Sequence, residues 1–90
     1  MSVAATSPTP TLEVLTALAE PSRLAIVNLL RQGPRPVGEV AAEVGIVQPH
    51  ASRHLRILAD AGLVSARREA QSRIYRLEHP PFASLAQWLE

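Results

Sequence analysis

A chain of 90 residues with nine Lys and Arg, eight Asp and Glu and a net charge of +1 is long enough for one small domain. Hydrophobic residues make up 47% of it and aromatic residues only 3%, so the core has to be built from Val, Leu, Ile and Ala. The absence of cysteine excludes disulfides, thiolate redox chemistry and every metal site that depends on sulfur.

Residues 1–10, rich in Pro, Ser and Thr, read as a flexible tail, and residues 11–90 as a single domain. The start has neither the basic residues nor the apolar run of a secretory signal, and no stretch approaches the roughly 20 apolar residues that span a bilayer. A cytoplasmic protein is expected. "TPTLEVLTALAE" predicts a first helix, with Pro10 in its first position, Thr9 as its cap and an apolar stripe of Leu12, Leu15 and Leu18 widened by Val14 and Ala19. "EPSRLAIVNLLRQG" predicts a second, from Pro21 to Gly33. Leu24, Val27 and Leu30 share one face, and Ile26 and Leu29 make the apolar surface nearly continuous, so burial on most sides is expected.

"RPVGEVAAEVG" predicts a short third helix on Val37, Val40, Ala41 and Val44, stopped by Gly45. The fourth, "VQPHASRHLRILADAG", turns Ala51, Leu55 and Leu58 inward and closes at Gly62. The period then changes from helical to alternating. "LVSARREAQSRIYRL" predicts two short antiparallel strands around "EAQS", a hairpin that has to pack on the helices to be stable. "HPPFASLAQWLE" predicts a last helix. Its Trp88 and Leu89 need cover, from the first helix of the same chain or of a second copy.

The fold class expected is therefore mainly α with a two-stranded β wing, the hairpin lying between the fourth and fifth helices. A short helix, a tight turn at Gly45 and a polar-faced helix form a helix-turn-helix pattern, and the basic hairpin after it makes the pattern a winged one. The charge follows the same division. Met1 to Ile46 holds three Arg against four Glu, Val47 to Arg76 holds six Arg against Asp60 and Glu69, and only Glu78 and Glu90 follow. A basic third of the chain that coincides with the polar-faced helix and hairpin suits nucleic acid.

The residue types suit it too. Gln48 and Ser52 can hydrogen-bond base edges or phosphates, Arg53 can grip guanine bidentately, and Arg56 is placed for phosphate. On a helix turning about 100° per residue, Arg53 lies about 160° from the inward Ala51. His50, in the first turns, is a further candidate for a base or phosphate contact. On the hairpin, Arg73, then Arg68 and Ser72, are candidates for wing-tip contacts. His50 and His54 stand four apart, as in a zinc-protease helix, but Ala51 takes the place of the catalytic Glu and Arg53 repels a cation. His54 is expected at the edge of the core, hydrogen-bonded to backbone. No nucleophile–base pair, phosphate-cradling loop or carboxylate pair points to an enzyme, and no metal or cofactor is expected.

The stretches "ALAEPSRLAIVNLL", "VGEVAAEVGI", "QPHASRHLRIL" with "AGLV", and "RIYRL" together resemble the ArsR/SmtB family of bacterial transcriptional repressors, from about Leu12 to Glu90. The resemblance implies a homodimer that binds a near-palindromic double-stranded DNA operator and represses transcription. It also implies an interface built from the first and last helices, here Leu12, Leu15, Phe82, Leu85, Trp88 and Leu89. Many members carry metal-binding cysteines on the helix matching Val37–Val44, or Asp and His ligands on the last helix. This chain has no cysteine, and its last helix offers only Gln87 and Glu90, with His79 before it, so it resembles the branch without the cysteine site, with an inducer of unknown chemistry. Val47 replaces the usual Ser at the start of the recognition helix, a loss of about 1 kcal/mol unless packing of Val47 offsets it. The wing turn lacks the usual Gly. A metal-responsive repressor using histidines alone and a winged-helix protein-interaction module are the competing readings.

Overall fold

The computed structural model describes residues 10–90. Most of the expected tail and the expected Thr9 cap lie outside the described residues. The elements are α1 (Leu12–Leu18), α2 (Pro21–Leu30), β1 (Arg35–Pro36), α3 (Val37–Val44), α4 (Gln48–Asp60), β2 (Val64–Glu69), β3 (Ser72–Leu77) and α5 (His79–Leu89). The winged helix-turn-helix is present, with α3 and α4 as its two helices and β2 and β3 as its wing.

The first helix begins two residues later than its proline suggested. Thr11 is its cap: its backbone is extended and its side chain accepts a hydrogen bond from the Val14 N–H at 3.1 Å. The inward face also differs. Val14 and Ala17 are buried and Leu18 packs on the core, whereas Leu12 is 81% exposed and Ala19 is exposed. The register that an amphipathic stripe at 12, 15 and 18 implied is rotated, because Val14, Ala17 and Leu18 face α2 and α4. In α2, Ile26, Val27 and Leu30 are buried but Leu24 is 49% exposed, so this helix is not covered on most sides. It ends at Leu30 rather than running to Gly33, and Glu20 caps its start by accepting from the Arg23 N–H at 2.9 Å.

The sheet has three strands, not two, in the order β1-β3-β2 and antiparallel throughout. Arg35 and Pro36 pair with Tyr75 and Ile74. Two residues cannot show alternation, and Pro36, lacking an N–H, is tolerated because β1 is an edge. The wing register runs from Val64 opposite Leu77 to Glu69 opposite Ser72, leaving Ala70 and Gln71 as the turn. Ala70 takes φ 55°, the left-handed conformation that hairpin turns of two residues demand and that glycine adopts more easily.

Ile26, Val40, Leu55, Leu58 and Leu63 are fully buried and form the centre, joined by Tyr75 from β3. Tyr75 and the partly buried Phe82 are the aromatic contributions to a core that is otherwise aliphatic. Gly45 follows α3 with φ 83° and its N–H donates to the Ala41 carbonyl at 2.9 Å. This left-handed cap turns the chain between α3 and α4 and sets α4 across the surface of the domain. Among the described residues, no helix is long and apolar enough to cross a membrane.

Candidate nucleic-acid interface

The placement of α4 follows from its buried stripe. Ala51, Leu55 and Leu58 have no exposed surface, while Gln48, His50, Ser52, Arg53 and Arg56 are all exposed. The inward residues fall at i, i+4 and i+7, so every other face of the helix is presented outward. The helix has no side-chain cap: Val47 occupies that position with extended backbone, and Pro49 lies in the first turn. Val47 is 59% exposed, so packing does not compensate for the missing cap.

The wing divides the outward residues into two groups. Gln48, Ser52 and Arg56 face it across a cleft of about 990 Å³, and Arg68, Ser72 and Arg73 form the opposite wall. Six of the eight residues expected to meet DNA thus converge on one concavity. The other two, His50 and Arg53, are exposed on α4 but do not line it. Gln71, in the wing turn, also lines the cleft. The sequence reading did not single it out, although its place in the expected turn "EAQS" was the available signal.

The electrostatics of the wing are specific. Arg68 and Arg73 are direct cross-strand partners, two cations facing each other in the ladder. Like charges in that position oppose pairing, and an anion between or beside them removes the penalty. Arg67, by contrast, reaches the Glu69 carboxylate at 3.3 Å. Arg76 sits at the root of the wing, 3.5 Å from Glu78 and 3.3 Å from the Ser65 hydroxyl. Of the four wing arginines, the two left facing the cleft are therefore Arg68 and Arg73.

His54 lies at the edge of the core, as expected, but its partner is not backbone. Its Nδ1 is 3.2 Å from Arg23 Nη1, and Arg23 Nε donates to the Ala17 carbonyl at 2.7 Å. One guanidinium thus fastens α4 to α1 and α2. A guanidinium can only donate, so His54 Nδ1 is the acceptor in this contact and is turned away from a metal role with His50. Among the described residues, no three His, Cys, Asp or Glu side chains are grouped so as to hold a metal ion. His79 is the first residue of α5 rather than a residue before it.

The residues expected at a dimer interface fall into three classes. Leu12, Trp88 and Leu89 are exposed, Leu15 and Leu85 are half-buried, and Phe82 turns inward onto the protomer's own core. Phe82 is thereby mainly a core residue of its own chain.

Comparison with known proteins agrees with this geometry. Residues 20–66, which run from the cap of α2 into β2, match the family of bacterial regulatory proteins described as the arsR family. The biofilm growth-associated repressor of Agrobacterium fabrum is 42% identical over 76 residues, covering 84% of this chain and 65% of its own length. The transcriptional regulator NmtR of Mycobacterium tuberculosis is 44% identical over 71 residues, covering 79% of this chain and 59% of its own. The chain thus spans less than two thirds of the length of these curated relatives. A solution structure of a homodimeric winged helix-turn-helix DNA-binding domain from Mycobacterium bovis superposes with a TM-score of 0.74 at 38% identity, covering 82% of this chain and 70% of that one. With the family match spanning the helix-turn-helix and these identities spanning most of the chain, this protein belongs to the bacterial arsR family of regulatory proteins.

Proposed function

We propose that the protein is a sequence-specific DNA-binding transcriptional repressor that acts in the cytoplasm as a homodimer on a near-palindromic operator. The observation that carries this reading is the cleft between α4 and the wing, where Arg68 and Arg73 oppose each other in the ladder and face Arg56, Gln48 and Ser52. Such an array gains stability when an anion enters it, and a phosphate backbone presents anions in a row. In this docking α4 enters the major groove, where its first turns meet base edges. His50 and Arg53, exposed on α4 outside the cleft, read bases, Arg56 and the wing arginines hold phosphates, and Gln71 reaches with the wing tip. Names of relatives support repression: the Agrobacterium fabrum relative is itself a repressor. They also favour a regulator over an enzyme.

Two copies suit the surface of the chain. Leu12, Trp88 and Leu89 form an exposed apolar set on the terminal helices that a second copy covers. The two recognition helices then meet half-sites about one helical turn apart, roughly 10–11 base pairs centre to centre.

Fluorescence anisotropy on a labelled operator fragment, repeated across salt concentrations, tests the reading. Affinity falls steeply with salt because arginine–phosphate contacts release counterions. Arg56→Ala weakens binding to all sequences alike and lowers the salt slope by about one, whereas Arg53→Ala costs about 1–3 kcal/mol and relaxes base preference. Binding that ignores salt, or an Arg53→Ala variant with unchanged affinity and preference, sinks this docking and favours a protein-interaction module.

A further inference from the structure

A second cleft, of about 650 Å³, lies between the end of α2 and the start of α5. Small-molecule sites have volumes of roughly 300–1,000 Å³ and combine apolar walls with a few placed polar groups. This cleft has that composition. Val27, Leu30, Leu77 and Phe82 supply apolar surface, and Arg31, Arg76 and His79 supply donors, against the single carboxylate of Glu78.

The carboxylate is already engaged. Glu78 accepts from the Ser65 hydroxyl and pairs with Arg76 at 3.5 Å. Arg31 is in a different situation: it follows the last turn of α2 and its side chain forms no ion pair among the described residues, and the same is true of His79. Apolar surface beside the unpaired guanidinium of Arg31 and the imidazole of His79 selects a ligand that is apolar at one end and anionic at the other. A guanidinium matches a carboxylate in shape as well as charge, because both are planar and can join by two parallel hydrogen bonds.

We propose that this cleft binds a small amphiphilic carboxylate, an alkyl or aryl acid, whose carboxylate meets Arg31 and His79 while its apolar body lies on Leu30, Leu77 and Phe82. Arg76 lines the same cleft, so the bound carboxylate competes with Glu78 for its guanidinium. Glu78 and Ser65 join the root of the wing to the first turn of α5: the Glu78 N–H also donates to the Leu63 carbonyl at 2.9 Å. Loosening the Arg76–Glu78 contact therefore reaches the wing, and the ligand acts as an effector. That last step rests on the DNA-binding reading above, whereas the binding site itself does not.

The test is a nuclear magnetic resonance titration of the full 15N-labelled chain with octanoate, compared with 1-octanol and octylammonium. Octanoate shifts the amides of Leu30, Leu77 and Phe82 saturably. It binds at least about tenfold more tightly than 1-octanol, and octylammonium does not saturate the site. Arg31→Ala, an exposed change whose spectrum reports directly on folding, weakens octanoate by about tenfold and leaves 1-octanol unaffected. Octanoate shifts that do not saturate, or equal octanoate affinity in wild type and Arg31→Ala, overturn the site. Saturable binding with Ser65 and Arg76 unmoved overturns its coupling to the wing. None of these readouts uses DNA, so a failure of operator binding leaves them intact.

Discussion

In α4, Ala51, Leu55 and Leu58 have no exposed surface at all, whereas in α5 no residue is buried, and Trp88 and Leu89 are 46% and 70% exposed. Helix α1 lies between these extremes, with Ala17 1% exposed and Leu12 81%. All three helices carry apolar residues at helical spacing. The stripe of α4 finds its counterpart inside the protomer, against α1, α2, α3 and the wing, while much of the stripe on the terminal helices finds none. The same kind of side chain is thus enclosed in the middle of the chain and exposed at its ends, where the proposed second copy would cover it. Burial, rather than hydrophobicity, separates the two roles.

Breaking the middle has the largest effect. Leu55→Ala removes a side chain that is fully enclosed, and the surrounding core cannot collapse onto the space left. Urea denaturation of the variant shows a loss of about 2–5 kcal/mol. Trp88→Ala is the matching experiment at the other end. A large aromatic at the centre of an interface commonly contributes about 2 kcal/mol or more, so sedimentation equilibrium finds the dimer weakened by more than tenfold. The circular dichroism spectrum of the Trp88→Ala protomer stays that of the folded chain. A Trp88→Ala variant that unfolds, or one that dimerises as before, erases the distinction between the two regions.

The middle was also the more legible part of the sequence. A helix whose inward residues pack within the same chain shows its stripe at the spacing of its own turns, so Ala51, Leu55 and Leu58 were read in their observed roles. On α1, the leucines at 12, 15 and 18 made a stripe that looked inward, but one set of apolar residues served the core and another faced out. A single sequence does not mark which is which. The exposed Leu24 of α2 was misread for the same reason. Strand β1 escaped because two residues carry no period. Most of the candidate site was legible from residue type and helical phase, but which of its residues line the cleft beside the wing and which lie outside it was not. That division depends on where the wing docks. The partner of His54 was hidden because Arg23 is 31 residues away in the chain.

Capping sharpens the comparison further. The recognition helix is held by its packed stripe, while its first turn lacks the side-chain acceptor that Thr11 gives α1 and Glu20 gives α2. Val47→Ser supplies one. Pro49 has no N–H, so the serine hydroxyl accepts from the His50 N–H, which already donates to the Val47 carbonyl at 3.0 Å and is then shared between the two oxygens, and Val47 gives up little because it is largely exposed. Because that donor already has a backbone acceptor, thermal unfolding shows the variant more stable by about 0.5 kcal/mol, the low end of what a cap contributes. Unchanged stability shows instead that the packed stripe already fixes the first turn.

The smallest expected effect lies at the seam where the two regions meet. Glu20 caps α2, Arg23 reaches the last turn of α1 and touches His54 of α4, and Glu20 Oε1 lies 3.9 Å from His54 Nδ1. The hydrogen bond from the Arg23 N–H holds the Glu20 carboxyl below its ordinary value of 4.5, opposed by desolvation and helped by the Arg23 charge. A carboxyl whose folded value is lowered stabilises the fold above the unfolded value, and that contribution fades as the pH falls through the folded one. Wild type is therefore more stable than Glu20→Gln at neutral pH, and the gap closes in acid. Denaturation of both proteins from pH 7 to pH 3 measures it, and the difference between them removes the titration of all other carboxylates. The gap is small because the group is exposed to water, which screens it. A gap that stays constant with pH assigns the seam to the Arg23 contacts alone, and the joint between the terminal helices and the recognition helix is then insensitive to acid.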